Sequence, residues 1–398
     1  MTARDPRELF ALPAETTYLD NAATMPKALA CIDAMDTFHR YENASVHRGT
    51  YAASRRATER YEEARATVAR YIGSHDEHEI VFTHGATEAL NMLSFCLADR
   101  VRPESSIVVS GLEHHANLLP WRRLACMRDA ELRTIPVDAS GAIDTEAIDG
   151  AIDAVCAIVA VSAMSNVTGY QPDLTRIVAR AHEAGALVII DAAQAVAHMR
   201  IDVRAIGCDA LVFSAHKIGG PFGIGALWCR RDLLDAFPPF LLGGGIVEEV
   251  SADGERYLEA PWRFEAGTPA ISEAIGFAAA IDAGDSIDLD AAFTCERSRA
   301  ARFRTGIARL HTIHALGTDT TSPVVPLLSD RLSPYDMSTL LSHLGVCVRA
   351  GKHCAEPYVR ALNAEGVCRA SLSICTSDDD VDRALACLER IDAVGSAP

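Results

Sequence analysis

The sequence predicts an α/β protein in which a mainly parallel, doubly wound sheet forms a large domain and a smaller α+β domain follows it. The chain has 398 residues, more than one hydrophobic core usually holds, so two domains are expected. Between about residue 17 and residue 229, short apolar runs alternate with longer helical patterns, which is typical of parallel strands joined by crossover helices. After Trp228 this alternation stops.

Seven short apolar runs predict the strands of the large domain: Ile80–Phe82, Ile107–Ser110, Leu132–Val137, Ala157–Ser162, Leu187–Asp191, Ala210–Ser214 and Gly225–Trp228. Helical patterns separate most of them, for example at Thr87–Ala98 and Asp173–Ala184. In a doubly wound sheet, ligands gather at the carboxyl ends of the strands. Polar residues at those ends are therefore the first candidates for a functional site.

A long connection with paired prolines and three consecutive glycines, Pro238-Pro239 and Gly243–Gly245, leads into the second domain. Its predicted elements are helices at Ser272–Ala283 and Ala291–Arg309, strands at Val324–Leu328, Val346–Arg349 and Ala370–Ile374, and a closing helix capped by Ser377. We expect residues 15–265 to form the large domain, and residues 1–14 with 266–398 to form the small one.

Composition restricts the partners and the compartment. A net charge of −17 disfavours a nucleic-acid partner, because nothing would offset phosphate repulsion. No apolar stretch reaches the ~20 residues of a membrane span, and Met1–Pro6 lacks the apolar segment of a signal peptide. The twelve cysteines are scattered and are expected to be reduced. Together these features predict a cytoplasmic protein without membrane or nucleic-acid contacts.

A lysine and a carboxylate stand at the ends of two predicted strands. Lys217 follows the apolar run that ends at Ser214, and Asp191 ends the run Leu187–Asp191. Such a lysine can bind a carbonyl cofactor as a Schiff base, while the carboxylate keeps a pyridinium nitrogen protonated. The pair indicates pyridoxal phosphate, although a lysine in such a loop is more often only solvated.

Other strand ends carry polar residues that fit the same site. Thr83–Glu88 runs from a strand into a helix whose first turn holds Ala86 and Thr87, an arrangement that binds anions, though alone it is better explained as an ordinary cap. His114, within Glu113–Asn117, can stack on a planar ring, and it lacks the neighbours of a zinc site. Asn166, Gln194, Ser214 and His216 complete the set, and each alone is more often a turn or core residue.

The second domain contributes a thiol. Cys354 lies in Arg349–Ala355, where Arg349, Lys352 and His353 are expected to lower its pKa. For most of the twelve cysteines a buried structural role is the better explanation, but the neighbours of Cys354 are cationic. Arg369, placed just before a predicted strand, can hold an amino-acid carboxylate with two hydrogen bonds.

The motifs together resemble one family. In order, they are Tyr18–Thr24, Val46–Gly49, Glu113–Asn117, Asp191–Ala195, Ser214–Lys217, Arg263–Pro269 and Arg349–Cys354. This set resembles the SufS/CsdA-like, or group II, cysteine desulfurases of the class V aminotransferase superfamily, over residues 17–390. The fifteen-residue step from Cys354 to Arg369 resembles this group rather than the IscS/NifS-like group.

The resemblance implies a fold-type I pyridoxal-phosphate enzyme that acts on L-cysteine as a homodimer. Lys217 would bind the cofactor, Asp191 would pair with its pyridine nitrogen, and His114 would stack on the ring and assist proton transfer. Gln194 would bond the phenolic oxygen. The phosphate would be held by Ala86, Thr87, Ser214 and His216, and by Thr268 of the other subunit.

The resemblance also implies the sulfur chemistry. Arg369 and Asn166 would bind the substrate carboxylate, and His47 and Arg349 would also bind the substrate. Cys354 would attack the substrate sulfur, which leaves a persulfide on Cys354 and releases L-alanine. A selenocysteine lyase, another class V pyridoxal-phosphate lyase of a specialised sulfur pathway, and a cofactor-free scaffold are the alternatives.

Several departures from the group bear on the sulfur acceptor. Lys352 stands where the group commonly has histidine, Ala192 replaces a glycine, and the stretch 281–322 looks shortened. Tyr335 takes the place of a histidine that relatives use to exchange for a zinc ligand of a SufU-like acceptor. We therefore expect a SufE-like acceptor, or none, with iron–sulfur cluster assembly as the default pathway.

Overall fold

The computed structural model describes residues 5–12, 16–138 and 140–395. The expected boundary at residue 15 and the residues Met1–Arg4 lie outside this part of the chain. Within the described residues, no helix is both long enough and apolar enough to cross a membrane.

The described part of the chain contains fifteen strands and thirteen α-helices. The strands are β1 (Thr17–Tyr18), β2 (Ile80–Thr83), β3 (Ser106–Ser110), β4 (Glu131–Ile135), β5 (Cys156–Ser162), β6 (Leu187–Asp191), β7 (Ala210–Ser214), β8 (Gly225–Cys229), β9 (Val247–Ser251), β10 (Gly254–Tyr257), β11 (Ile313–Ala315), β12 (Val324–Ser329), β13 (Val346–Cys347), β14 (Arg349–Gly351) and β15 (Val367–Ser371).

The helices are α1 (Leu29–Thr37), α2 (Ala52–Tyr71), α3 (Ala86–Cys96), α4 (Leu119–Met127), α5 (Ala147–Ala151), α6 (Leu174–Glu183), α7 (Val203–Ile206), α8 (Arg231–Ala236), α9 (Ile271–Asp285), α10 (Leu289–Ile307), α11 (Pro334–His343), α12 (Glu356–Ala361) and α13 (Asp378–Gly395). As expected, Ser377 caps α13, because its hydroxyl accepts the Asp380 N–H at 3.1 Å.

The main sheet has, among the described residues, seven strands in the order β2-β8-β7-β6-β5-β3-β4. The strands β7, β6, β5, β3 and β4 are mutually parallel, while β8 is antiparallel to both of its neighbours. The prediction of a mainly parallel sheet is thereby confirmed. Successive residues of β6 face opposite sides, since Ile189 and Ile190 belong to separate apolar clusters that cover the two faces.

The second sheet is antiparallel and has the order β11-β12-β15-β14. Two strand predictions in this region were wrong in detail. The strand predicted at Ala370–Ile374 is β15, Val367–Ser371, because the chain leaves the sheet after Ser371 to turn into α13. The run Val346–Arg349 divides into β13 and β14, which pair with different strands. The division of domains near residue 265 stays a prediction.

The connection after β8 contains a hairpin that the sequence analysis missed. Strands β9 and β10 pair antiparallel around Ala252-Asp253, and Gly254, which has a φ of 144°, begins β10 opposite Ser251. Aspartate followed by glycine between alternating polar and apolar residues is a hairpin signal, so the pattern was available.

The N-terminal segment joins the two sheets. Strand β1 pairs in parallel with β13, and Asp20 forms a bridge to Ser371 at the end of β15. Two residues later, the chain reaches the carboxyl ends of the main-sheet strands at Ala22. The segment therefore carries its own residues into the space between the two sheets.

Candidate active site

A cavity of about 280 Å³ lies at the carboxyl ends of β5, β6 and β7. Of the fourteen residues predicted for the site, twelve line this cavity: Ala86, Thr87, His114, Asn166, Asp191, Gln194, Ser214, His216, Lys217, Arg349, Cys354 and Arg369. The main-sheet strands carry the first nine of these residues to one edge, and the second sheet supplies the last three.

Lys217 ends a short 3₁₀ turn, Ala215–Lys217, directly after β7. Its ammonium donates a hydrogen bond to the main-chain carbonyl of Ala22. Burial, helped by the nearby guanidinium of Arg369, lowers the pKa of Lys217 to about 7, while Asp191 acts in the opposite direction. A large fraction of this lysine is therefore a neutral amine near neutral pH, which is the nucleophilic form.

Asp191 is the last residue of β6 and is buried. Its Oδ1 accepts the Ala193 N–H at 2.9 Å. Burial raises the pKa of Asp191 to about 6, and the hydrogen bond and the charge of Lys217 only partly oppose this effect. A protonated ring nitrogen beside Asp191 would favour the charged form of this carboxylate, since opposite charges stabilise each other in a buried site.

His114 follows β3 by four residues and lines the cavity at the same edge of the sheet. Its Nδ1 accepts the Ala116 N–H at 3.0 Å, so the neutral ring carries its proton on Nε2. Burial lowers the pKa of His114 to about 4, and the positive charge of Lys217 adds to the effect. The ring is therefore neutral near pH 7, with one N–H available as a donor.

One end of the cavity suits a phosphate. Helix α3 begins at Ala86, whose N–H donates to Ser214 Oγ at 2.9 Å. Gly85 has a φ of 140°, and a Cβ there would lie 3.2 Å from Ser214 Oγ, so glycine allows this close approach. His216 Nδ1 is buried without a partner among the described residues, and burial lowers the pKa of this ring to about 3. The unpaired polar atom and the helix start fit an anionic group here.

Gln194 and Lys217 share one acceptor. The Nε2 of Gln194 donates to the Ala22 carbonyl at 2.8 Å, and the same oxygen accepts from Lys217. Ala22 was not among the predicted site residues, because a main-chain carbonyl has no signature in the sequence. The N-terminal segment thus orients two of the groups that face the cofactor region.

The loop that carries Cys354 has an unusual backbone. His353 and Cys354 have φ values of 51° and 53°, in the left-handed region that residues other than glycine rarely occupy. The loop is held at three points: Asn166 Nδ2 donates to the His353 carbonyl at 2.7 Å, His115 N–H donates to the Cys354 carbonyl at 2.6 Å, and Glu356 N–H donates to His115 Nε2 at 3.3 Å.

The cations expected around the thiol have other partners. Lys352 Nζ lies 2.6 Å from Glu356 Oε1, and Arg349 lies 3.0 Å from Asp20 Oδ2. Burial lowers the pKa of His353 to about 3, so its ring is neutral. The arrangement does not support the expectation that these three side chains act on the thiol as free positive charges.

Arg369 was expected just before a strand, but it lies within β15. It is buried, donates to the Asn166 carbonyl at 2.7 Å, and lies 3.4 Å from Asp20 Oδ1. Its Nε has no partner among the described residues, and burial lowers the pKa of the guanidinium to about 10. A buried cation with an unpaired donor suits a substrate carboxylate.

Two predicted residues, His47 and Thr268, do not line the cavity. His47 Nε2 lies 2.9 Å from Glu62 Oε1, and the residue lines a separate cavity of about 530 Å³. Thr268 lines a third, smaller cavity together with Tyr61 and Phe82. Neither residue reaches the site within this chain.

The sequence analysis missed several residues that matter to the site. Asp20 pairs with both Arg349 and Arg369, a contact that spans more than 300 residues and leaves no local signal. Glu113 is buried beside His114, where its carboxylate accepts from Ser110, Asn117 and Ser162. Burial raises the pKa of Glu113 to about 7. Met164 and Ser162 also line the cavity.

Comparison with known proteins places this site in context. A family model described as "Aminotransferase class-V" matches residues 17–384. The chain is 39% identical to a protein named cysteine desulfurase from Enterobacter sp. (strain 638), over 97% of this chain and 95% of that protein. A cysteine desulfurase from Dickeya dadantii (strain 3937) is 38% identical over 94% and 91% of the two chains.

Solved structures of cysteine desulfurases are also similar to this chain. The cysteine desulfurase CsdA from Escherichia coli has a TM-score of 0.93 at 36% identity, covering 99% of this chain and all of that one. An apo cysteine desulfurase from Thermococcus onnurineus NA1 has a TM-score of 0.95 at 35% identity, with 99% of each chain covered.

Proposed function

We infer that the chain, which belongs to the aminotransferase class-V family, is a pyridoxal-phosphate-dependent L-cysteine desulfurase. It converts L-cysteine to L-alanine and retains the sulfur on Cys354 as a persulfide. One observation carries this proposal: a single cavity brings together Lys217, Asp191 and the exposed thiol of Cys354. An enzyme that only moved an amino group would have no use for that thiol.

Bound pyridoxal phosphate supplies an electron-withdrawing ring that makes bonds at the substrate α- and β-carbons easier to break. Lys217 would bind the cofactor covalently, and its lowered pKa makes the free amine reactive. Asp191 would stabilise the protonated ring nitrogen from the end of β6. Ala86, Thr87, Ser214 and His216 would hold the phosphate, which would give the buried Nδ1 of His216 a partner.

The remaining residues orient the ring and move protons. His114 would stack against the ring and offer its Nε2 proton, and Gln194, whose Nε2 donates to the Ala22 carbonyl, would bond the phenolic oxygen. The amine of Lys217, when not bound to the cofactor, would move a proton to or from the substrate carbon. The shared position of these side chains along the cavity wall supports the proposed roles.

The substrate is held from the second sheet. Arg369 binds the carboxylate through its unpaired donor, and Asn166, already bonded to the loop carbonyl of His353, lies beside it. Arg349 and His47 are assigned to the same region, His47 from a second copy of the chain. Cys354 Sγ attacks the substrate sulfur, so that an S–S bond forms as the C–S bond breaks. The electron pair of the broken bond stays on the carbon, which is protonated to give alanine.

The enzyme acts as a homodimer in this proposal. Thr268 and His47 lie outside the main cavity of their own chain. Leu241, which lines the small cavity with Thr268, and the adjacent Leu242 are exposed. A second copy covering these apolar residues would bring its Thr268 to the phosphate end of the cavity. All twelve cysteines lie in the described part of the chain and are unpaired, which fits a reducing cytoplasm.

The acceptor is proposed to be SufE-like, with iron–sulfur cluster assembly as the use of the sulfur. Tyr335, which is 65% exposed on α11, lies next to the cysteine loop: a Cβ on Gly351 would be 3.1 Å from its hydroxyl. A phenol is a poor replacement for the imidazole that zinc favours, which argues against exchange with a zinc-loaded SufU-like protein.

The test is an assay of the purified enzyme with L-cysteine or L-selenocysteine, measuring alanine together with sulfide or selenide. We expect turnover of both substrates and a persulfide on Cys354 with cysteine. Alanine release should rise with a SufE-like acceptor and not with a zinc-loaded SufU-like one. Turnover of selenocysteine alone would instead identify a selenocysteine lyase.

A further inference from the structure

Two adjacent histidines at the edge of the main sheet have different partners. His114 lines the cavity, whereas His115 does not and instead contacts the loop of Cys354. Its main-chain N–H donates to the Cys354 carbonyl at 2.6 Å, and its ring Nε2 accepts the Glu356 N–H at 3.3 Å. One residue next to the main sheet therefore holds the loop at two points, at the thiol-bearing residue and just after it.

The ring of His115 accepts a hydrogen bond from an N–H group at the start of α12, where no side chain of the neighbouring sequence caps the helix. Helix α12 begins at Glu356, and the preceding residue is Ala355, which has no side chain able to cap it. The first N–H groups of a helix lack partners within the helix and need an external acceptor. Because Nε2 accepts, the neutral ring must carry its proton on Nδ1. His115 acts as a cap supplied from a distant part of the chain.

The backbone that these bonds hold is strained. His353 and Cys354 both have positive φ values, and such conformations persist only where surrounding contacts determine them. The direction of Cys354 Sγ depends on this backbone, because the side chain leaves from a left-handed residue. The Asn166 bond to His353 fixes one end of the pair, and the His115 bonds fix the other.

We propose that His115 is a positioning residue for the sulfur-accepting thiol: its ring caps α12 and thereby fixes the Cys354 backbone with Sγ aimed into the cavity. The inference rests on the proposed role of Cys354 as the sulfur carrier. Capture of sulfur needs the thiolate close to and in line with the substrate C–S bond, and small misplacements of reacting atoms slow such steps strongly. Cofactor binding, which uses none of these contacts, does not depend on His115.

The experiment compares His115→Gln with His115→Asn in the holoenzyme. The glutamine side-chain carbonyl lies as many bonds from Cα as Nε2 does, so it can accept the Glu356 N–H, whereas the asparagine carbonyl is one bond too short. Single-turnover persulfide formation on Cys354 is measured by mass spectrometry at saturating L-cysteine. We expect the glutamine variant to retain most of the rate and the asparagine variant to lose roughly 10- to 100-fold.

Two readouts separate positioning from general damage. The visible absorption of the bound cofactor and the turnover of L-selenocysteine should match wild type in both variants. His75→Asn, at an exposed histidine outside the cavity, serves as the matched control. Equal persulfide rates in the glutamine and asparagine variants would overturn the proposal, as would an altered cofactor spectrum in step with the lost rate. If instead Cys354→Ala formed alanine from cysteine at the wild-type rate, the proposed function itself would fall.

Discussion

The two sides of the cavity are built in opposite ways. On the cofactor side, Lys217, Asp191 and His114 stand at the ends of buried strands or beside them, and burial is the main cause of each shifted pKa. On the thiol side, Cys354 is exposed on a loop that hydrogen bonds from another part of the chain hold in place. A cofactor that stays in place needs a rigid, dry wall, while a sulfur that must be handed on needs an accessible carrier.

The largest effect is expected from removing the lysine. Lys217→Ala should abolish turnover of both cysteine and selenocysteine, because the cofactor loses its covalent attachment and the site loses its proton carrier. Borohydride reduction followed by peptide mass spectrometry should find the cofactor on Lys217 in the wild type and on no lysine in the variant. A cofactor label on a different lysine would show that the cofactor side is assigned wrongly.

Removing the thiol should stop the reaction step of the thiol side and leave the cofactor side working. Cys354→Ala is expected to keep the cofactor absorption and much of its selenocysteine turnover, because selenium leaves carbon more readily than sulfur does. Cysteine desulfuration should fall to background. Cys295→Ala, at another exposed cysteine, should behave like wild type in both assays. Rapid desulfuration by Cys354→Ala would mean that the thiol side takes no part in the reaction.

The pH dependence should report the buried lysine. Burial lowers the pKa of Lys217 from 10.5 to about 7, so the amine is cationic below that pH and neutral above it. The rate of cofactor loading onto cofactor-free enzyme should therefore rise about tenfold between about pH 6 and about pH 8 and then level off. Stopped-flow absorbance measures this rate. A rate that keeps rising beyond about pH 9 would show a lysine with its ordinary pKa.

The smallest effect is expected from the cation next to the thiol. Lys352 is bound to Glu356 at 2.6 Å in a partly exposed pair four residues apart. Exposed pairs outside a helix contribute about 0.2–1 kcal/mol, so Lys352→Ala should change the persulfide rate by no more than about fivefold. Lys352→His, which restores the residue common in the group, is the comparison. A loss of about tenfold, or about 1.4 kcal/mol, would mean that the thiol side uses this charge directly.

The cofactor side could be predicted from the sequence because parallel strands bring their carboxyl ends to one edge. Asp191, Ser214 and Lys217 follow apolar runs directly, so the strand assignment was enough to bring them together. The residues missed there, such as Ala22, act through the main chain. No side-chain pattern predicts a carbonyl contact of that kind.

On the thiol side, the sequence predicts which residues take part but not how they are arranged. The cationic neighbours of Cys354 and the position of Arg369, together with the family resemblance, pointed to these two residues. The partners of Lys352 and Arg349 and the register of β15 came from the structure. Asp20 contacts both arginines from the other end of the chain, and the capping of α12 by His115 joins residues 241 positions apart. Contacts of this length depend on how the two sheets meet, which no local pattern encodes.

The N-terminal segment has a consequence for how the protein is made. Within a few residues it supplies β1, the Asp20 carboxylate and the Ala22 carbonyl, and its strand partner β13 begins only at Val346. During synthesis residues 17–22 leave the ribosome long before β13 and Arg369 exist for them to pair with. The large sheet can assemble early, but the site cannot close until β13, β14 and β15 have been translated. Cutting the gene between the two sheets would therefore place β1 and Asp20 on a different piece from their partners β13, Arg349 and Arg369.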